Sequence, residues 1–474
     1  MVTEIETKGE SLARLVREES GENVFLCYQC KKCTSGCPVS HLMDITPNQV
    51  LRSLQFGKGE EVLGSRTVWL CASCETCTTR CPVGIDVARV MNTLKIISQR
   101  EGIKPQEPAG PIFTEASLRS IKALGRMYEV GVMAEMNLRL RPPFAHAGMG
   151  WEMFRRGKLP ILPERGGFPK DLQGLKPRVP PSPKGVAYYP GCSLHGTARE
   201  YDLSTRSVAK KLGLDLEEIE GWVCCGASAA HWSSHELAAS LPLKNLALVE
   251  KKGYKSVTAP CAMCFYQLKR GAHDIAQNPA LKEKVAQEMS YRYEGGVDVQ
   301  NAIDTFLYQV GLPQIAQQVS RPLSGLKVAC YYGCLLTRPP EVTGAEDPEY
   351  PRSMDRLMRS IGAQPLDWSS KTDCCGAALA MTQHEATFGL MARILENARQ
   401  VGAEALVVAC PMCHANLDAR QEEVARHSGL DFRLPVFYFT QLMALALGLE
   451  EKDIGLGKLL VDPKPLLRGK GLAS

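Results

Sequence analysis

The chain has 474 residues, of which 45% are hydrophobic and 23% charged, with a formal net charge of +5. That length is a prior for about three domains, and the composition buries ordinary globular cores, which excludes a disordered chain. The small basic excess counts all 19 cysteines as neutral thiols, so it lends no support to nucleic-acid binding. Met1 to Glu22 is polar and amphipathic rather than an export signal. No apolar run reaches the roughly 18 residues of a membrane span. A cytoplasmic protein with reduced thiols is expected.

Two cysteine runs open the chain. The first is Cys27-x2-Cys30-x2-Cys33-x3-Cys37-Pro38, and the second repeats it as Cys71-x2-Cys74-x2-Cys77-x3-Cys81-Pro82. Between them Thr46 is a good N-cap and Pro47 suits the first helical position. Val50, Leu51 and Leu54 form one face, and Gly57 fits the C-terminal end. Asp86 opens another helix, with Val90, Met91, Leu94 and Ile97 at helical spacing. An α-helical ferredoxin domain is therefore expected over residues 1–105. Residues 106–184 read as a connector, helical around Leu118 to Leu140 and then proline-rich. Lys176 to Pro183 can sustain neither a helix nor a central strand. Few contacts are expected to depend on continuity across that boundary.

From Gly185 the chain repeats itself. A strand from Val186 to Tyr189 runs into Gly191-Cys192, and one from Val328 to Tyr332 runs into Gly333-Cys334. A helix is expected after each. Then come Cys224-Cys225-Gly226 and Cys374-Cys375-Gly376, followed by long helices from His235 to Lys252 and from His384 to Val401. Strands at Val257 to Ala259 and Leu406 to Ala409 end in Cys261-x2-Cys264 and Cys410-x2-Cys413. Apolar elements at Val297 to Val310 and Val436 to Leu447 close the halves. The expected fold is an α-helical ferredoxin followed by two pseudo-duplicated α/β domains, 185–325 and 326–474, with small parallel sheets. The cysteines fall where strands end and helices begin, the usual edge for chemistry in such sheets.

Four thiolates hold a [4Fe–4S] cube, and in two-cluster ferredoxins the fourth cysteine of each run serves the other cube. On that pattern one cube takes Cys27, Cys30, Cys33 and Cys81, and the other takes Cys71, Cys74, Cys77 and Cys37. All ligand positions are then closed, which suits relay. Five thiols per repeat exceed the four that a cube or a structural zinc needs. Either some bridge irons and one iron is open to an outside sulfur, or one thiol is spare.

The runs CYQCKKCTSGCPV and WLCASCETCTTRCPVGIDV resemble the C subunit of CoB–CoM heterodisulfide reductase. The region from 185 resembles its B subunit, with 31 and 35 residues separating the cysteines of the first repeat and 39 and 34 those of the second. The resemblance implies a C–B fusion, an arrangement also found in the membrane-linked D subunit. It implies two cubane clusters and two noncubane [4Fe–4S] clusters, the latter held by Cys192, Cys224, Cys225, Cys261 and Cys264 and by Cys334, Cys374, Cys375, Cys410 and Cys413. It also implies cleavage of a disulfide, CoM-S-S-CoB or a related one, between the two noncubane sites. The implied partner is a flavin-containing electron donor resembling the family's A subunit, in a larger, often electron-bifurcating complex, with hydrogenase or dehydrogenase subunits in some assemblies. Similar chains accompany glycolate, lactate and glycerol-3-phosphate dehydrogenases, passing electrons toward quinone. That is the competing function, and a zinc-stabilised scaffold is a third.

Cys330 is left over, and a core role suits a small hydrophobe in an apolar strand. His195, His231, His384 and His414 lie near cysteines and could donate a proton or simply orient neighbours. Arg338, just after Cys334, is a candidate to hold an anionic substrate, and a solvated loop position is its alternative.

Overall fold

A computed structural model describes residues 8–140, 147–160, 162–166 and 185–472. Thr46 caps the helix Pro47–Gln55, its amide donating to Gln49 Oε1 at 2.8 Å. Val50, Leu51 and Leu54 are buried, and Gly57 turns the chain at φ 75°. Asp86 Oδ1 accepts the Arg89 amide at 2.9 Å and opens the helix Val87–Arg100. Both cysteine runs share one backbone device. The residues before and after the second cysteine, Gln29 and Lys31 and then Ser73 and Glu75, all have φ between 49° and 63°. That left-handed pair is uncommon for non-glycine residues, and it coils each run tightly enough for its thiols to face one side.

The connector differs from expectation in one respect. The helical stretch is two helices, Ala109–Leu124 and Glu129–Leu140, separated at Gly125 with φ 71°. A third helix covers Ala147–Arg155. The proline-rich boundary at 176–183 lies outside the described residues.

The repeats are α/β as expected. β1 (Val186–Tyr188), β2 (Leu216–Glu218), β3 (Ser256–Ala259) and β4 (Asp298–Asn301) form a parallel sheet in the order β2-β1-β3-β4. β5 (Lys327–Tyr331), β6 (Gln364–Pro365), β7 (Ala405–Val408) and β8 (Val436–Tyr438) form its counterpart, β6-β5-β7-β8. Edge strands β2 and β6 were not legible, because three and two residues with polar members carry no period. The closing segments begin as β4 and β8 and continue as helical turns. Cys330 is wholly buried in β5, as a small hydrophobe should be.

One core joins the halves. Tyr201 of the first stacks on Tyr438 of the second, rings 4.1 Å apart and 4° from parallel, and its hydroxyl donates to the Ala409 carbonyl at 3.1 Å. The ferredoxin region packs on both halves, against the expectation of few contacts. Arg89 meets Asp274 and Arg270 meets Asp86, at 2.9 and 2.7 Å. Lys95, fully buried, lies 4.0 Å from the ring of Trp232. A proline-rich linker reports the stiffness of the connecting chain and says nothing of which faces pack. No helix among the described residues is long and apolar enough to cross a membrane.

Candidate metal centres

Cys37, Cys71, Cys74 and Cys77 line one small cavity with Pro38, Val39 and Met91. Burial, then the nearby Cys74, pushes the Cys37 thiol up. Burial, then Cys71 and Cys74, does the same to Cys77. In the other group, burial raises Cys33, with Cys27 and Cys30 contributing. Tyr28 is raised by partial desolvation and by Cys30, Cys81 and Cys27. Cys37 thus stands with the second run, and Cys81 acts on Tyr28 together with Cys30 and Cys27. Four thiols around one cavity are a donor set that fits an iron–sulfur cube.

In the two repeats the strand-to-helix turn places the cysteines, and glycine makes room for them. Gly191 has φ 73°, and a Cβ there would lie 2.8 Å from Cys264 Sγ; at Gly333, with φ 69°, it would lie 3.2 Å from Cys413 Sγ. Any larger residue would drive the thiol aside. Tyr189 and Tyr331 brace the loop before each Cys-Cys pair, donating to the carbonyls of Val223 at 2.7 Å and Asp373 at 2.6 Å. The amides of Gly226 and Gly376 donate to Cys224 and Cys374 Sγ at 3.4 and 3.3 Å. Cys225 and Cys264 approach to 3.4 Å, and so do Cys375 and Cys413. Cys192 packs beside Cys224, and Cys334 beside Cys374. Each repeat therefore gathers its five cysteines, a set that fits a cluster larger than one ion, since neighbouring thiols aim at different points.

Two contacts link the sets. Cys74 packs beside Cys374, which lowers the Cys74 thiol, while Cys334 and then Cys74 raise Cys374. Cys410 lies beside Cys261, whose proximity lowers the Cys410 thiol. The thiols form an unbroken series from the second run, through the second repeat, to the first.

The two repeats are capped differently. The second is covered by the ferredoxin region, where Val39, Ala72 and Cys74 pack with Cys374, Leu379 and Leu390. The first is covered by the connector. There the Met127 amide donates to Cys192 Sγ at 3.4 Å, and the Cys224 amide donates to the Gly125 carbonyl at 2.9 Å. Under that connector lies a cavity of about 180 Å³, lined by Cys192, Cys224, Cys225, Cys261 and Cys264. None of the second repeat's five cysteines lines it. Its walls are apolar and rich in thioether, from Met127, Met133, Met153, Met263, Met381 and Met412. Polar groups among the lining include Glu129, Lys158, Ser193, His414, Asp418 and Arg420.

Arg338 is not among them. It is 3% exposed and donates to Thr76 Oγ1 at 2.9 Å, to the Thr372 carbonyl and hydroxyl at 3.0 and 2.8 Å, and to Glu349 at 2.6 Å. Arg80 holds the other side of Glu349, at 3.0 and 2.9 Å. The residue expected to meet an anionic substrate instead fastens the second run to the second repeat, because its loop is covered by the ferredoxin region. His195 sits between Glu164 and Glu218, at 2.8 and 3.0 Å. His231 faces Gln267 in a separate polar cavity. His384 stacks on Phe388. Only His414 of the four lines the thiol cavity, with its Nε2 held 3.0 Å from the Val436 carbonyl. The connector's contribution was missed by sequence reasoning. The density of methionine from Met127 to Met153 is the one signal that could have marked it.

The sequence matches the cysteine-rich CCG domain at residues 186–269 and 328–418 and the 4Fe-4S dicluster domain at 23–85. It is 30% identical over 286 residues to the membrane anchor of the 8-methylmenaquinol:fumarate reductase of Wolinella succinogenes, covering 60% of this chain and 99% of that one. It is 29% identical to a protein of Archaeoglobus profundus described as similar to the heterodisulfide reductase B subunit, covering 56% and 91%. A third relative, the B subunit of the ferredoxin/F420H2-dependent CoB-CoM heterodisulfide reductase of Methanosarcina acetivorans, is 28% identical over 57% and 92%. The crystal structure of a hypothetical protein from Helicobacter pylori aligns with a TM-score of 0.49 and 12% identity, covering 70% of this chain and 61% of that one. With both CCG domains matched and almost the whole length of the first of these relatives covered, the chain belongs to the CCG-domain family of the heterodisulfide reductase B subunit and its relatives, joined here to a 4Fe-4S dicluster domain.

Proposed function

We propose that the protein is the iron–sulfur component of a heterodisulfide reductase-like complex, passing electrons from a flavoprotein partner to a disulfide, CoM-S-S-CoB or a related one, in the cavity at the first CCG repeat. Cys27, Cys30, Cys33 and Cys81 would hold one [4Fe–4S] cube and Cys37, Cys71, Cys74 and Cys77 the other. The two five-cysteine sets would each hold a noncubane cluster. Bound there, the clusters supply one-electron transfer and, at an open iron, a seat for a substrate sulfur. The observation that carries this reading is the unbroken series of thiol sets ending at an apolar cavity lined, among the described residues, by the five cysteines of the first repeat and none of the second. The second repeat, sealed by the ferredoxin region and linked through Cys74 and Cys374, has the geometry of a relay. At the other end of the series, Cys30 is exposed beside Phe25, Leu26 and Tyr28, each more than half exposed, and beside Lys31 and Lys32. An apolar centre with cationic neighbours suits a redox partner of opposite charge.

Replacing Cys225 with serine is expected to abolish a paramagnetic signal that develops on oxidation with thiol, leaving the ferredoxin signals intact. A signal of unchanged size would favour a four-ligand site with a spare thiol. Replacing Cys37 with serine should damage the cube built mainly from the second run, and loss confined to the first-run cube on spectroscopy would reject the crossed ligand sets. A second reading, transfer toward quinone, is favoured by the apolar thioether walls. Reduced viologen as donor separates the two: turnover of a dialkyl disulfide supports the first, and turnover of a quinone alone supports the second.

A further inference from the structure

Reducing a disulfide consumes protons as well as electrons, and the cavity holds two carboxyls that could carry them, Asp418, which burial raises to about 6, and Glu129. Glu129 stands apart. It comes from the connector, outside the residues matched by either family domain. Its Oε1 accepts the Ser193 hydroxyl at 2.8 Å, which ties the carboxyl beside Cys192. Its Oε2 is buried and has no hydrogen-bond partner among the described residues. An unpaired buried carboxyl oxygen is costly and persists where something is meant to meet it.

The other titratable groups of the cavity are engaged. Asp418 accepts the amides of Leu460 and Val461 at 2.7 and 3.1 Å. Lys158 is locked on the buried Glu200. His414 lies against Tyr438, rings 4.1 Å apart, with its Nε2 on the Val436 carbonyl. Arg420 approaches Glu423 at 4.0 Å, and as guanidinium it keeps its protons. Arg126, three residues before Glu129, is turned away onto the Trp222 ring and Glu164. The remaining titratable neighbours are the five thiols themselves and Tyr438.

We propose that Glu129 is the proton donor of this cavity, an inference that rests on the disulfide reading above. The overall change is RS–SR′ plus two electrons and two protons giving RSH and R′SH. The electrons come from a reduced donor such as viologen. The S–S bond breaks, the Glu129 O–H bond breaks as an S–H bond forms on the departing sulfur, the other sulfur takes its proton from solvent as the second thiol leaves, and the carboxylate regains its own proton from solvent. Ser193 is a positioning residue, fixing one carboxyl oxygen while the other lies against Gly196, in the wall of the cavity that Glu129 lines.

The test uses the cluster-loaded full chain, reduced methyl viologen and dipropyl disulfide as the probe. In Glu129→Gln, kcat should fall about 100-fold, the low end of a general-acid contribution, with KM little changed. Glu129→Asp should recover part of the rate, which a merely structural defect would not. An infrared difference spectrum of reduced minus oxidised protein should contain a carboxyl band that is missing in the Gln variant. Wild-type rates in Glu129→Gln would overturn the inference. If the wild type fails to turn over dipropyl disulfide, the disulfide reading fails. The infrared band then still reports whether Glu129 exchanges a proton, and its absence from the wild type would sink the inference independently.

Discussion

A chain beginning after residue 100 is expected to be insoluble, or soluble only as aggregates, with no cooperative thermal transition. The ferredoxin region covers surface that the CCG halves cannot leave bare. Trp232, 1% exposed, is held edge-on by Trp69 with centroids 6.5 Å apart, by the ammonium of Lys95, and by Gln99 donating to its carbonyl at 2.6 Å. A buried tryptophan carries roughly 200 Å² of surface, so baring this one costs several kcal/mol, at about 25 cal/mol per Å². The same cut opens Cys374, Leu379 and Leu390 to water. It also removes polar partners. Arg270 loses Asp86, Tyr266 loses Glu75, and Arg338 loses Thr76. Size-exclusion chromatography and circular dichroism of the fragment check this. A soluble monomer with native secondary structure would show that the interface is dispensable.

The second large effect is expected at Lys371. This lysine and Asp355 are 0% and 1% exposed and pair at 2.7 Å. Lys371 also donates to the Pro351 carbonyl at 3.3 Å, and Tyr332 donates to the other carboxyl oxygen at 2.7 Å. Its carbonyl accepts the amides of Tyr332 and Gly333, at 2.8 and 3.1 Å, directly before Cys334. Lys371→Met leaves a buried carboxylate with one donor. Removing one partner of such a pair costs about 3–5 kcal/mol, which lowers Tm by roughly 10 °C for a domain of this size. Lys371→Met combined with Asp355→Leu should be closer to wild type than the single variant, because no charge is then stranded. A fall of less than about 2 °C in the single variant would show that water or rearrangement compensates Asp355.

What could be read directly from the residues is what neighbouring residues enforce on one another. A thiol every third residue converges because the backbone between is only two residues long. Strands such as Val328 to Tyr331 and Leu406 to Val408 are apolar throughout because both faces of a parallel sheet are covered. Thr46-Pro47 and Asp86 open helices by local hydrogen bonding alone. On those grounds the helical ferredoxin, the duplicated α/β halves and the gathering of five cysteines per repeat were all legible.

The placement of one set against another was not, since it depends on which faces pack across distances of a hundred residues and more. Arg338 illustrates this. By its position after Cys334 it could meet substrate or solvent, and only the arrival of Thr76, 262 positions earlier in the chain, makes it an internal fastening. The difference between the repeats has the same origin. Their cysteine grammar is nearly identical, yet one is sealed by Cys74 and its neighbours while the other is roofed by Met127, Glu129 and Met153, which leave a cavity. Short-range chemistry determined what each site could hold; the burial of long-range apolar faces decided which site is open.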